Sequence, residues 1–258
     1  MVMTLAAWIA AYKDRGFTAE QAEAITMMRV AAGVLFRDFP ESFLLFGGAT
    51  LLLFCDSVRH SADLDLLARA DKLPTTEDLR ASLATGLAAA ADALNLGPLQ
   101  LEVSGDKILV KKRDNSLLFK VDITRVGPVL ENEVQEHAVE IDEENVATVK
   151  AASPDLLLLQ KAECFLLRKM MKTRDAFDIY RLKQFGVVLN EQLENHLEDT
   201  LMGNEIEATD IAARIAQVDE KRCRELRAML PSGVFESLRK EQFSPLRDAL
   251  RHLYRRWL

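Results

Sequence analysis

The segment that decides the fold is residues 43–67, FLLFGGATLLLFCDSVRHSADLDLL. Its first four residues, Phe43–Phe46, are apolar and predict a short buried strand that ends at a glycine pair. We expect a short helix over Thr50–Val58, and the alternation of acidic and apolar residues over Asp63–Leu67 has the period of a second strand. Glycines between a strand and a helix let a phosphate approach the backbone and the first N–H groups of the helix. A plain tight turn uses the same residues, and this alternative stays open.

Two carboxylates follow on the second strand. Asp63 and Asp65 are two residues apart, so they share one face of the strand. They repel each other unless a cation lies between them, and Mg²⁺ takes one or two protein carboxylates while leaving room for substrate phosphates. The alternative is a solvated strand end with alternating acids.

A later strand carries a third acid on a comparable face. In the segment Lys120–Ile123, Val121 and Ile123 are expected to face the core, which places Asp122 on the opposite side. Asp122 is therefore a candidate third metal ligand or general base. An ordinary exposed strand acid would show the same pattern.

The second half of the chain contributes cations and acids at helical spacing. Lys161 and Arg168 are seven residues apart and share a helix face, where they could bind phosphates. Asp175 and Asp178 are three residues apart and could face the same cleft. A solvated helix face is the alternative.

The remaining elements follow from caps, breakers and alternation. Residues 5–40 predict two helices divided near Gly16, and Thr18 with Gln21 forms a capping box. Thr75 with Asp78 begins an alanine-rich helix that Gly97 ends. We expect further strands over 99–103, 108–112, 117–123 and 145–149, with an acidic stretch over 131–144. Ser153-Pro154 begins a helical second part, so we predict domains over residues 1–150 and 151–258.

Composition limits the function classes. The 258 residues are 49% hydrophobic, which supports a packed core, and 33 Lys and Arg against 40 Asp and Glu give a net charge of −7. Three widely spaced cysteines argue against a disulfide framework and a cysteine zinc site, and they fit the cytoplasm. No apolar run approaches the length of a membrane span.

The chain is acidic overall, but its C-terminal segment is basic. Residues 221–258 hold ten Lys and Arg against four acids, with Tyr254 and Trp257 among them. Such a segment could follow an RNA backbone and stack a base. Alternatively, it forms a basic helical face that pairs with the acidic stretch at 191–220.

Taken in order, these motifs resemble a known family. Gly47-Gly48, the R-x-S-x-D-L-D segment of residues 59–65, Lys161, and Arg174-Asp175 with Asp178 resemble the AbiEii-type nucleotidyltransferase toxins. These are toxins of type IV toxin–antitoxin systems within the polymerase-β-like nucleotidyltransferase superfamily. The chain departs from the usual Gly-Gly-Thr-Ala order, because Ala49-Thr50 follows its glycine pair.

The resemblance implies an α/β (α+β) fold. It consists of a nucleotidyltransferase core with a small mixed sheet, followed by a C-terminal helical domain that contributes Lys161 and Asp175 to the cleft. The implied catalytic residues are Asp63, Asp65, Asp122, Lys161 and Asp175. The implied nucleotide-binding residues are Gly47, Gly48, Thr50, Arg59, Ser61, Lys161 and Arg174. The implied Mg²⁺ ligands are Asp63, Asp65 and Asp122.

The resemblance also implies a reaction. An NMP would move from an NTP to an acceptor hydroxyl, with a tRNA 3′ end as the expected acceptor and an antitoxin protein as a candidate partner. Two alternatives remain at this point: a small molecule or a protein side chain as the acceptor, or a catalytically silent binding module of the same fold.

Overall fold

The computed structural model describes residues 4–69, 73–126, 134–141 and 145–258. The chain divides into two compact units, Met1–Ala152 and Ser153–Leu258. The fold is mixed α/β, as expected, with one seven-stranded sheet.

The first unit contains the sheet. Its strands are β1 (Phe43–Phe46), β2 (Asp63–Arg69), β3 (Gln100–Ser104), β4 (Lys107–Lys111), β5 (Leu117–Val126), β6 (Val134–Glu140) and β7 (Val146–Ala152). Their order across the sheet is β3-β4-β5-β2-β1-β7-β6. Strand β2 pairs antiparallel with β1 and parallel with β5, so the two strands that carry the predicted acids are neighbours.

The described residues of the first unit also form four helices: α1 (Leu5–Asp14), α2 (Ala19–Asp38), α3 (Gly47–Phe54) and α4 (Thr76–Ala93). Helices α2 and α4 each begin with the capping box that the sequence predicts. Helix α2 packs between the sheet and α4, and fourteen of its twenty residues are buried.

Two sequence expectations need correction. The helix expected over 50–58 begins at Gly47 and ends at Phe54, because the chain turns directly from β1 into α3 at the glycine pair. Strand β6 was not predicted, since acids and exposed side chains obscure its alternation and only Val139 in it is buried. Its pairing with β7 supplies the hydrogen bonds that local propensity does not indicate. Residues 131–133 and 142–144 of the predicted acidic stretch lie outside the described residues.

The second unit is helical. Its helices are α5 (Pro154–Leu167), α6 (Thr173–Gln184), α7 (Glu191–Gly203), α8 (Ala208–Ala216), α9 (Glu220–Cys223), α10 (Ser232–Lys240) and α11 (Ser244–Leu253), with a 3-10 segment, Arg224–Ala228, after α9. Ser153 caps α5 by accepting a hydrogen bond from the backbone N–H of Leu156, as the Ser-Pro start predicts. No helix in the described parts of the chain is both long and apolar enough to cross a membrane.

Candidate active site

The acid pair lies on β2 beside the third acid on β5. Leu64 and Leu66 of β2 are fully buried, so Asp63 and Asp65 project from the opposite face. The parallel pairing of β2 with β5 sets Asp63 opposite Lys120 and Asp65 opposite Asp122. Burial of Val121 and Ile123 agrees with the predicted orientation of β5.

The glycine pair brings the start of α3 against Asp65. Phe46 of β1 is in register with Asp65, and the next residue, Gly47, has a φ of +74°. A Cβ atom at Gly47 would overlap the Asp65 carboxylate, so this position needs glycine for both its backbone and its contact. Phe46, the residue before α3, makes no side-chain cap, and the N–H groups at such a helix start can bind anions.

The second glycine lies against two predicted nucleotide-binding residues. A Cβ at Gly48 would come within 2.7 Å of Arg59 Nη2 and 2.9 Å of Ser61 Oγ. Arg59 and Ser61 are both buried, and the guanidinium of Arg59 donates a hydrogen bond to the His60 carbonyl at 3.2 Å. The structure therefore brings Gly47, Gly48, Arg59 and Ser61 together beside the acid pair.

Thr50 is on the same helix but is fully buried. Its hydroxyl makes no hydrogen bond within the part of the chain that the structure describes. Its role in nucleotide binding stays a prediction.

His60 lies in the loop before the acid pair. Burial, together with the positive charge of Arg59, lowers the pKa of its imidazole. The neutral form is therefore favoured in the folded protein.

Asp122 is held by two lysines. Lys120 Nζ lies 2.5 Å from Asp122 Oδ2, and Lys107 Nζ lies 3.1 Å from Asp122 Oδ1. Burial favours the neutral acid, but the hydrogen bonds and charges of the two lysines outweigh it and lower the pKa of Asp122. Lys120 Nζ is also 3.5 Å from Asp63 Oδ1.

The assignment of Asp122 as a third metal ligand stays a prediction. Among the described residues, no group of three or more His, Cys, Asp or Glu side chains is arranged to hold a metal ion. Asp122 makes ion pairs with the lysines instead. Asp63 and Asp65 together still offer the one or two hard carboxylates that Mg²⁺ requires beside substrate phosphates, so this pair fits the ion.

Lys107 and Lys120 are not among the predicted site residues. The alternation in β5 puts Lys120 on the acidic face, which is a signal that could have been used. Lys107 reaches Asp122 only because β4 pairs antiparallel with β5 and sets the two residues opposite each other.

The second unit contains a buried charged cluster, formed by Lys161, Arg168, Asp175 and Asp178. Lys161 Nζ lies 3.5 Å from Asp178 Oδ2 and 3.9 Å from Asp175 Oδ1. Arg168 Nε lies 3.3 Å from Asp175 Oδ2. Lys161 is 5% exposed and both aspartates are fully buried, which a solvated helix face would not show.

Burial disfavours the charged form of the Asp175 carboxyl. Burial raises the pKa of its carboxyl and outweighs the opposing charges of Lys161 and Arg168. Arg174 precedes it, half-buried, on the first turn of α6. The sequence predicted two cations for phosphate and two acids facing a cleft, and the structure brings these two pairs into contact with each other. The phosphate-binding role of Lys161 and Arg168 stays a prediction.

The two ends of the basic C-terminal segment make different contacts. Arg256 pairs with Glu194 and Glu198 of α7, which favours the alternative that this end neutralises the acidic stretch. Tyr254 cannot stack a base as expected, because it is fully buried and its hydroxyl donates to the carbonyl of Ala162 at 2.8 Å.

The start of the same segment is different. Glu225 turns inward and accepts hydrogen bonds from the N–H and hydroxyl of Thr173 at 2.5 and 2.8 Å. This contact holds the segment against the first turn of α6. Four basic side chains around it are exposed and form no ion pair with any described residue: Lys221, Arg222, Arg224 and Arg227.

Comparison with protein families decides the identity. The sequence pattern of the family described as "Nucleotidyl transferase AbiEii toxin, Type IV TA system" matches residues 31–255, which is most of the chain. The chain belongs to the AbiEii nucleotidyltransferase toxin family. It is therefore a nucleotidyltransferase of a type IV toxin–antitoxin system, with an NTP as substrate and an antitoxin as partner.

Solved structures share the fold of this AbiEii toxin. The nucleotidyltransferase toxin MenT4 from Mycobacterium tuberculosis is 13% identical, with a TM-score of 0.56 over 99% of this chain and 96% of the other. JHP933 from Helicobacter pylori is 17% identical, with a TM-score of 0.53 over 93% of this chain and 94% of the other. A comparison with curated protein sequences found no match.

Proposed function

We propose that the protein transfers an NMP from an NTP to the 3′ end of a tRNA in a Mg²⁺-dependent reaction. The observation that supports this most is the placement of Asp63 and Asp65 on one strand face, with the glycine start of α3 directly against Asp65. A metal-binding pair and a phosphate-binding turn are thus adjacent.

Asp63 and Asp65 would hold the metal ion. When bound, Mg²⁺ would neutralise the triphosphate and stabilise negative charge on the leaving pyrophosphate. The protein itself fixes the two carboxylates on a paired strand. The absence of a Cβ at Gly47 leaves room for the carboxylate of Asp65.

The turn around Gly48 would orient the phosphates. The first N–H groups of α3 offer hydrogen bonds to phosphate oxygens, and the guanidinium of Arg59 adds positive charge beside Gly48. Ser61 adds a hydroxyl at the same place. Together these groups would hold the α-phosphate in line with the attacking hydroxyl.

The cluster of the second unit is assigned to the same reaction on the order of the family's motifs. Lys161 would stabilise negative charge that spreads over the phosphate oxygens in the transition state. Asp175 would accept the proton of the acceptor hydroxyl, because burial raises its pKa toward the range in which a carboxylate is an effective base.

RNA is supported as the acceptor by the four exposed basic side chains near the start of α6. Exposed Lys and Arg side chains bind the phosphates of a nucleic-acid backbone. Since Glu225 fixes this segment to Thr173, the positive charge is held on the unit that contains Lys161 and Asp175.

The test uses purified protein, Mg²⁺, each of the four NTPs labelled on the α-phosphate, and total tRNA. We expect label in tRNA with one or a few NTPs, and no label in tRNA whose 3′ diol has been oxidised with periodate. Equal labelling of intact and oxidised tRNA would contradict a 3′-end acceptor.

The same assay separates the other acceptors. Label that appears in protein or in a small molecule, with none in tRNA, would overturn the RNA assignment and leave nucleotidyl transfer in place.

A further inference from the structure

A lysine of strand β5 lies beside the acid pair. Lys120 lies in register with Asp63, and its backbone N–H donates a hydrogen bond to the carbonyl of Ala62 at 2.9 Å. This bond fixes the base of the side chain beside β2. The side chain itself is 25% exposed, so most of it packs against the protein.

The Lys120 ammonium contacts two carboxylates at once. It lies 2.5 Å from Asp122 Oδ2 and 3.5 Å from Asp63 Oδ1. Because Asp63 faces Lys120 and Asp65 faces Asp122 across the strand pair, these side chains share one surface of the sheet. The cation thus stands between acids of two neighbouring strands.

The charges on this surface favour one divalent ion. The formal charges of the three acids are balanced by the two lysines, Lys107 and Lys120, and by Arg59 beside Gly48. One divalent ion at Asp63 and Asp65 would make this surface positive, which favours a triphosphate. A second divalent ion would meet an ammonium already placed between Asp63 and Asp122, and like charges at this distance repel.

We propose that Lys120 is a fixed cation that takes the place of a second divalent metal ion. Asp63 and Asp65 then hold a single ion, and Asp122 positions Lys120 rather than binding metal. The inference rests on the proposed function, which assigns Asp63 and Asp65 to the metal. Two-metal enzymes place their ions about 3.5–4 Å apart to stabilise both the attacking and the leaving oxygen. An ammonium can supply part of that charge without an exchangeable ion.

The competing explanation is an ordinary surface ion pair, which contributes little. It predicts that removing the Lys120 charge leaves metal binding unchanged. Lys111 of β4 offers a matched control. Its Nζ pairs with Glu102 Oε2 of β3 at 2.6 Å, and neither strand pairs with β2, which carries the acid pair.

The test counts bound Mn²⁺ by the electron paramagnetic resonance signal of the free ion during titration of the full chain. We expect one ion per wild-type chain, lost in Asp65→Asn. Lys120→Met should tighten Mn²⁺ binding about tenfold or more, or add a second ion, because a positive charge beside Asp63 is gone. Lys120→Arg and Lys111→Met should behave as wild type, and circular dichroism checks that each variant is folded.

Other results would overturn the inference. Two Mn²⁺ ions per wild-type chain, both lost in Asp65→Asn, or unchanged binding in a folded Lys120→Met variant, would refute Lys120 as the second cation and leave the proposed reaction intact. Wild-type binding that Asp65→Asn does not reduce would instead refute the metal site on which the proposed function depends.

Discussion

Gly47 is constrained at the scale of a single residue by its backbone and by its neighbour. Its φ is +74°, and an added Cβ would overlap the carboxylate of Asp65. We predict that Gly47→Ala loses more than about 2 kcal/mol of folding stability and most of the transfer activity, because the backbone is strained and the carboxylate must move. Urea unfolding and the tRNA labelling assay measure the two losses.

Gly97 is the matched control. Its φ is +68°, but nothing lies within 4 Å of an added Cβ. Gly97→Ala should therefore lose about 1 kcal/mol from the backbone alone and keep its activity. If both variants lost the same stability and neither lost activity, the contact between Gly47 and Asp65 would not be needed for transfer.

His60 gives a pH dependence of stability. Its pKa is lowered in the folded protein by burial and by Arg59, so the folded state binds a proton less readily than the unfolded state, whose value is 6.5. The associated stability is present above pH 6.5 and is lost as the pH falls toward the folded pKa. We predict that wild type loses more stability than His60→Gln between pH 7.5 and 5.5.

Urea midpoints at the two pH values measure this difference. His252→Gln, which changes an exposed histidine of α11, should follow wild type. A parallel pH response of wild type and His60→Gln would contradict a role for His60 protonation.

At the scale of elements, α4 approaches α2 closely at Gly86. An added Cβ would lie 2.5 and 2.6 Å from the two methyl groups of Val34. Helix propensity alone would make Gly86→Ala stabilising by about 1 kcal/mol. We predict a net destabilisation of about 1–3 kcal/mol instead, because the packed helices must separate.

A double-mutant cycle with Val34→Ala tests the cause by urea unfolding. The double variant should be more stable than the sum of the two single effects predicts, since the added methyl fills the space that Val34 leaves. Gly203→Ala, with open space around the new Cβ, should be neutral or stabilising. Additive effects of Gly86→Ala and Val34→Ala would refute the contact.

The elements also show what the sequence could predict. Strict alternation predicted the exposed face of Asp63 and Asp65, and the Ser-Pro cap predicted the start of α5, because both signals are local. The contact of Gly47 with Asp65 depends on the register of β1 with β2. The ion pair of Lys107 with Asp122 depends on the pairing of β4 with β5. Such pairings join residues far apart in sequence, which no local pattern specifies.

At the scale of the whole molecule, a net charge of −7 coexists with an exposed basic surface. We predict that reversing Arg224 and Arg227 to Glu raises the apparent KM for tRNA roughly tenfold, because charges that bind phosphate are lost, and leaves the KM for the NTP unchanged. Steady-state labelling at varied tRNA concentrations measures both constants.

Arg251→Glu is the control for this surface, since Arg251 is already paired with Asp248. It should change the KM for tRNA much less. An equal effect of the control and the double variant would show that net charge, rather than this surface, governs RNA binding.

The proposed function requires Asp65 in a metal-dependent nucleotidyl transfer site. The most direct measurement is transfer of label from α-labelled NTP by wild type, Asp65→Asn and Asp92→Asn, where Asp92 is an exposed acid of α4. We expect Asp65→Asn to remain folded and to lose at least about a hundredfold in transfer, with Asp92→Asn equal to wild type. Full transfer by a folded Asp65→Asn variant would refute this role of Asp65.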